Sequence, residues 1–240
     1  MEFAAEKCQV LTVTRKLDRN VIKKDYKIHG YTLDRVHSAK YLGVTLDREL
    51  TFNPHINSIC QKAHNTRQFL QRTLWRCDQR TRAQACTTFV RPIVEYAATV
   101  WDPHTWNKSQ VKQLEATQNK AARFACGNYR RTESVTAMKA QLQWLSLQER
   151  RAKARILMMH KIFHGTVAIP LAPYFIPNTQ AMPTRRAHTK FLLPHSSTLA
   201  HRRTFMVATP AMWNGLPAHL TQMQDLEAFR GAIAAVGLTA

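Results

Sequence analysis

Asp47 and Glu49, in the run TLDREL, stand two residues apart. On a strand that spacing puts both carboxylates on one face, where a pair of acids can hold a divalent cation. More often such residues lead a solvated turn into a helix, and that is the expectation for this pair. Cys60 and His64 are four apart on one expected helix and share its face, but no second pair with ligand spacing follows, so a zinc site is not expected. The five cysteines (Cys8, Cys60, Cys77, Cys86, Cys126) are scattered without a CxxC, which points to reduced thiols. Several of the eleven histidines, among them His55, His160, His164, His188, His195 and His201, sit in basic surroundings that suit solvated or phosphate-facing roles better than catalysis. There is no GxSxG, HExxH, GxxxxGK or GxGxxG, so the common hydrolytic and nucleotide-binding chemistries have no motif to stand on.

What is left is charge. The 240 residues hold 35 Lys and Arg against 15 Asp and Glu, a formal balance of +20. No acidic residue occurs in the 75 positions from Arg150 to Gln224, where Arg150, Arg151, Lys153, Arg155, Lys161, Arg185, Arg186, Lys190, Arg202 and Arg203 all lie. A surface of one sign on this scale repels itself, and a polyanion is the usual compensation. The basic residues do not line one clean amphipathic helix, so a membrane surface is the weaker partner. The start, MEFAAEKC, carries charges where a signal peptide needs an apolar run, and no stretch reaches the roughly 18 apolar residues of a membrane span. A soluble protein of the nucleus or cytoplasm is expected.

The elements that must carry this charge change character at Ala39–Ile56. Before it, CQVLTVTR (8–15), residues 26–28 and 31–33 around His29-Gly30, and 38–46 read as three or four strands of a small antiparallel sheet. Within 40–46 the alternation sets Leu42, Val44 and Leu46 on one face and Tyr41, Gly43 and Thr45 on the other. After it, Asn53 can cap a helix with Pro54 first, running to about Trp75. Its apolar stripe is Ile56, Ile59, Cys60, Ala63, Leu70, Thr73 and Leu74, and its other side shows Lys62, Arg67, Arg72 and Arg76. A second helix capped by Asp78 carries Cys86, Phe89, Val90, Ile93, Ala97 and Val100 inward, is kinked by Pro92 and ends at Asp102-Pro103, with arginines 80, 82 and 91 on or near its exposed side. Further helices are expected from Asn107 to Cys126, after Ser134, from the Ser146/Glu149 capping box to Gly165, and over Asp225–Val236. Seven of the ten prolines fall between Ile169 and Pro217, which predicts an extended arm held down by Tyr174, Phe175, Phe191, Phe205 and Trp213. The fold class is α+β, with boundaries at 1–50, 51–168 and 169–240.

KYLGVTLD before a long basic helix, then VRPIVEYAATVWDP, then MWNGLP and LEAFRGAI, in this order and spacing, resembles the C-terminal part of a non-LTR (LINE or jockey-like) retrotransposon reverse transcriptase. The resemblance implies that residues 1–50 end a polymerase palm, that 51–168 form a thumb and connection, and that Tyr41, Leu42 and Gly43 belong to the hairpin that grips the primer end. It further implies that Lys40 and Arg48 beside that grip, with Lys62, Arg67, Arg72, Arg76, Arg80 and Arg82 along the thumb, touch the phosphates of a primer–template duplex. Such contact is salt-dependent and largely blind to sequence. Polymerases of this kind use aspartates that converge on paired Mg²⁺ ions. The seven aspartates here, at 18, 25, 34, 47, 78, 102 and 225, are isolated, and no Asp-Asp pair is present. The chain alone is therefore expected not to polymerise and to hold no cofactor, Mg²⁺ belonging to the parent enzyme. Two other readings are a functionless relic translated from a truncated element, and a module that docks on an intact reverse transcriptase.

Overall fold

The computed structural model describes residues 4–16, 24–103, 107–172, 174–178, 191–202 and 204–237. Asp18, His188, Arg185, Arg186, Lys190 and Arg203 lie outside them. The chain divides into two compact units, 1–62 and 63–240.

In the first unit the strands pair two by two: β1 (Gln9–Leu11) with β4 (Asp34–Val36) in parallel, β2 (Lys27–Ile28) with β3 (Tyr31–Thr32), and β5 (Ser38–Tyr41) with β6 (Val44–Asp47), the last two pairs antiparallel. The single antiparallel sheet expected from the sequence is thus corrected to three two-stranded ones. The period-two run 40–46 is not one strand. It folds back on itself at Leu42-Gly43, where both residues have positive φ (44° and 85°), the pattern of a type I′ turn whose twist matches that of the flanking strands. Leu42 is therefore exposed at the hairpin tip, and only Val44 is buried.

Asp47 closes this unit's strands and opens its helix. Its carboxylate accepts hydrogen bonds from the Thr51 amide (3.0 Å), the Thr51 hydroxyl (3.0 Å) and the Phe52 amide (2.7 Å). Those bonds hold the turn in which Leu50 and Phe52, neither a glycine, take left-handed φ values of 52° and 57°. Helix α1 (Asn53–Thr73) follows, one residue earlier than expected, so Pro54 occupies its second position.

The second unit is a helical assembly. Beyond α1, Asp78 caps α2 (Gln79–Ala85), which runs into one π-helical turn (Cys86–Val90), then α3 (Arg91–Glu95) and α4 (Ala98–Trp101). The π turn lies just ahead of Pro92, whose ring and missing N–H a regular α-helix cannot accommodate. One extra residue in a turn rotates every later side chain by about 100°. The inward face runs through Cys86, Val90 and Val94 and, after a break at Tyr96-Ala97 where Ala97 takes a left-handed φ of 52°, through Ala98 and Trp101, while Phe89, Tyr96 and Val100 are exposed. This corrects the stripe drawn from the sequence, which keeps a constant period through Phe89 and Val100.

Asn107 caps α5 (Lys108–Cys126), its side chain accepting from the Gln110 amide, and Gly127 ends it at φ 65°. Ser134 caps α6 (Val135–Gln141), and Ser146 caps α7 (Leu147–Phe163) by accepting from the Glu149 amide. Helix α7 packs against α4 and α5 on one side. It also meets α8 (Phe205–Asn214) and α9 (Leu226–Ala235, capped by Asp225). With the last two it shares a core of Ile156, Met159, Ile162, Phe175, Phe191, Trp213, Leu216, Leu220, Phe229 and Ile233. Phe175, Phe191 and Trp213 are buried anchors as the sequence predicts, whereas Tyr174 is exposed. Helix α8 corrects the extended arm expected over 169–217: it runs through Pro210, which is itself buried, so packing outweighs the bond that proline removes.

Candidate nucleic-acid interface

In the first unit Lys40, Tyr41, Leu42 and Gly43 are exposed at the end of the β5–β6 hairpin. Arg48 is not a free cation on that hairpin: its guanidinium donates to the Lys16 carbonyl and its amide to the His37 carbonyl, tying the end of β6 to the segment after β1. His55 is buried and its Nδ1 accepts from the Thr45 amide (3.3 Å); burial, then the charge of Lys62, lowers its pKa. Lys62 is exposed.

In the second unit the predicted arginines separate into two kinds. Arg72, Arg76 and Arg80 are exposed, at the end of α1, in the turn after it and at the start of α2. Arg67 is 9% exposed and lies among the core positions of α1, between Ala63 and Leu70, where it donates to Gln71 Oε1 at 2.7 Å and meets His64 Nδ1 at 3.4 Å. Its place on the outer side of the helix is thereby corrected: the spacing 56, 60, 63, 67, 70 keeps it on the buried stripe. Arg82 is half-buried, and its guanidinium packs on the end of α5, so close that a Cβ at Gly127 would sit 2.8 Å from Nη1. There it meets the negative end of the α5 dipole.

The most basic helix, α7, spends its charge inward. Arg150 forms a bidentate pair with Glu95, the second bond 2.9 Å long, and its pKa is raised by that pairing. Lys153 is buried, bound to Glu149 at 2.9 Å and to the Ala234 carbonyl at 2.9 Å. Asp102 sits between Arg151 Nε (2.9 Å) and Arg155 Nε (2.8 Å), and Arg155 also donates to the Asp102 carbonyl at 3.3 Å. The two guanidiniums are 1% and 2% exposed. Four basic residues of the acid-free stretch thus neutralise Glu95, Asp102 and Glu149 inside the molecule. The sequence does not announce this, because the acids lie about 50 residues upstream of Arg150, Arg151 and Arg155.

What remains outward at the end of α1 and the start of α2 is a short tract of cations with little acid among them: between Glu49 and Glu95 the only acidic residue is Asp78. Two large rings stand in the same tract, Phe69 at 56% and Trp75 at 63% exposure. The Arg76 guanidinium lies 4.4 Å from the centre of the Trp75 ring. Neither ring stands out in the sequence as a site residue, although Phe69, two positions after Arg67, is the residue that a constant helical period sends outward.

Behind this tract Cys86 is buried, its Sγ 3.9 Å from the Ala121 carbonyl. Burial pushes its thiol up to about 12, against the opposing charges of Arg67, Arg91 and Arg82. It is a core thiol and no nucleophile. Asp47, with its oxygens committed to Thr51 and Phe52, serves the turn and gives Glu49 no partner for a metal.

No protein-family profile and no solved structure matches the chain. A curated protein, the probable RNA-directed DNA polymerase from transposon BS of Drosophila melanogaster, is 32% identical over 100 residues. This chain contains a region related to a transposon reverse transcriptase. The match covers 40% of the chain and 11% of the length of that polymerase, so it concerns a small part of a much longer protein. No described helix is long and apolar enough to cross a membrane.

Proposed function

We propose that the chain is a C-terminal, thumb-bearing piece of a non-LTR retrotransposon reverse transcriptase, and that it binds nucleic-acid duplex through Arg72, Arg76 and Arg80. The observation that supports this most is the contrast between two basic helices. Four of the five Lys and Arg residues of α7 are ion-paired with Glu95, Asp102 or Glu149, whereas Arg72, Arg76 and Arg80, at the end of α1 and the start of α2, are exposed with Asp78 the one acid among them. Guanidiniums placed in this way contact phosphates and carry little sequence information. Catalysis of polymerisation is not assigned to this chain. Asp47 is committed to a backbone turn and Asp102 to two arginines, and the sequence holds no Asp-Asp pair of the kind that gathers two Mg²⁺ ions in such polymerases.

The test is binding of the full chain to an RNA/DNA hybrid duplex over a range of salt. The variant Arg72→Glu/Arg76→Glu/Arg80→Glu should bind more weakly, with the dependence of log K on log salt flatter by about one for each phosphate that is no longer neutralised. An unchanged slope would remove these residues from the interface.

A further inference from the structure

A surface that meets only duplex phosphates has no use for exposed aromatic rings, because the bases are stacked out of reach. The tract around Arg72 has two. Phe69 and Arg72 are three apart on the outer side of α1, so their side chains are neighbours. Trp75 follows in the turn, with Arg76 over its ring and more than half of its surface still open to solvent. Rings and guanidiniums alternate along five exposed positions: Phe69, Arg72, Trp75, Arg76 and Arg80. The tract holds one carboxylate, Asp78, which caps α2 and stays ionised, its pKa held down first of all by its bond from Thr81; the three arginines outnumber it.

We infer that this tract is a stacking platform for an unpaired nucleic-acid strand. Phe69 and the open face of Trp75 receive bases, and Arg72, Arg76 and Arg80 hold the phosphates between them. Every base has a π face, so such a site tolerates any sequence. Arg76 on the far face of Trp75 fixes the ring and adds a cation–π interaction behind the stacked base. The inference rests on the nucleic-acid reading above and narrows its ligand from duplex alone to a strand with at least two unpaired bases, such as the overhang at the end of a template duplex. RNA and DNA present the same stacking and phosphate chemistry, so both are probed.

The experiment compares wild type, Phe69→Ala/Trp75→Ala and Phe69→Tyr/Trp75→Phe for binding of labelled oligo(dT), oligo(U) and a blunt RNA/DNA hybrid at one salt concentration. Both rings are exposed, so the substitutions leave the core untouched. Removing the rings should weaken binding of the unpaired strands about tenfold or more for each ring and leave the blunt hybrid within about twofold, and the aromatic replacements should restore binding. The inference is overturned, with the duplex reading intact, if wild type binds the hybrid and the alanine variant binds all three probes as wild type does or loses them equally. Wild type that binds none of the probes overturns both.

Discussion

Replacing Asp102 by Asn would leave Arg151 and Arg155 as two buried cations without a counter-charge. Asn keeps the shape and one acceptor oxygen but removes the charge that both guanidiniums face at 2.9 and 2.8 Å. Each of these bonds is charge-assisted and contributes about 1.5–3 kcal/mol, and breaking a buried ion pair by removing one partner costs about 3–5 kcal/mol in total. A domain of this size has roughly 5–15 kcal/mol to lose, so Asp102→Asn should bring the second unit near the edge of folding. Urea denaturation followed by tryptophan fluorescence reads this directly, because Trp101 is buried beside Asp102 and its indole N–H donates to the Tyr96 carbonyl at 2.8 Å. A companion variant separates charge from shape: Asp102→Leu with Arg151→Met and Arg155→Leu removes all three charges together. It should stay within about 2 kcal/mol of wild type, since well-packed apolar residues replace a buried triad at little cost. A loss below about 1 kcal/mol for Asp102→Asn alone would refute the assignment of Asp102 as the counter-ion that makes α7 a core helix.

Three further outcomes are expected. Asp47→Ala should destabilise the first unit by about 2–3 kcal/mol in thermal or urea melts, because two amides and a hydroxyl lose their acceptor and Leu50 and Phe52 lose the bonds that hold them at positive φ. Leu42→Asn should stabilise the β5–β6 hairpin by about 0.5–1 kcal/mol, since Asn-Gly suits a type I′ turn in which Leu is strained, and a rise in Tm would show it. Acidification should destabilise the fold through His55 and His160, whose pKa values are lowered mainly by burial. For such a group the unfolded chain takes up protons first, so the stability is complete above about pH 6.5 and falls as the pH drops toward the folded value. His160 donates through Nε2 to the Met223 carbonyl at 2.8 Å and stacks on Phe229 with ring centres 4.2 Å apart, and Met223, His164 and Asp225 also act on its titration. His160→Gln should therefore flatten the decline between pH 7 and 5 in urea midpoints.

Local signals are legible in the sequence wherever one residue satisfies its own neighbours. Asp78, Asn107, Ser134, Ser146 and Asp225 all cap the helices they precede, and Gly127 ends α5. The Asp47 turn is legible in outline as a lead into a helix, though not the two left-handed residues it holds. Long-range consequences are not legible. A proline at 92 announces a disturbed helix, but neither the π turn ahead of it nor the left-handed break at Ala97 behind it, which together set the exposure of Phe89 and Val100. Likewise ERRAKAR reads as a solvated basic face until Glu95 and Asp102 are folded against it. The candidate site is smaller than the sequence suggests for the same reason: Arg67 and Arg82 carry charge in sequence and serve packing in space. Phe69 lies off the buried stripe of α1 and Trp75 in the turn after it, but a single exposed ring is ordinary on a protein surface and does not declare a site.

Residues 68–80 are the surface proposed to meet nucleic acid. Photocross-linking of the full chain to an RNA/DNA hybrid with an unpaired 4-thiouridine overhang, followed by peptide mapping, tests this most directly. Cross-links concentrated in the tryptic peptides from Gln68 to Arg80, and absent from Arg72→Glu/Arg76→Glu/Arg80→Glu, are the predicted result. Cross-links confined to α7 or to the segment after it, with that variant indistinguishable from wild type, would contradict it.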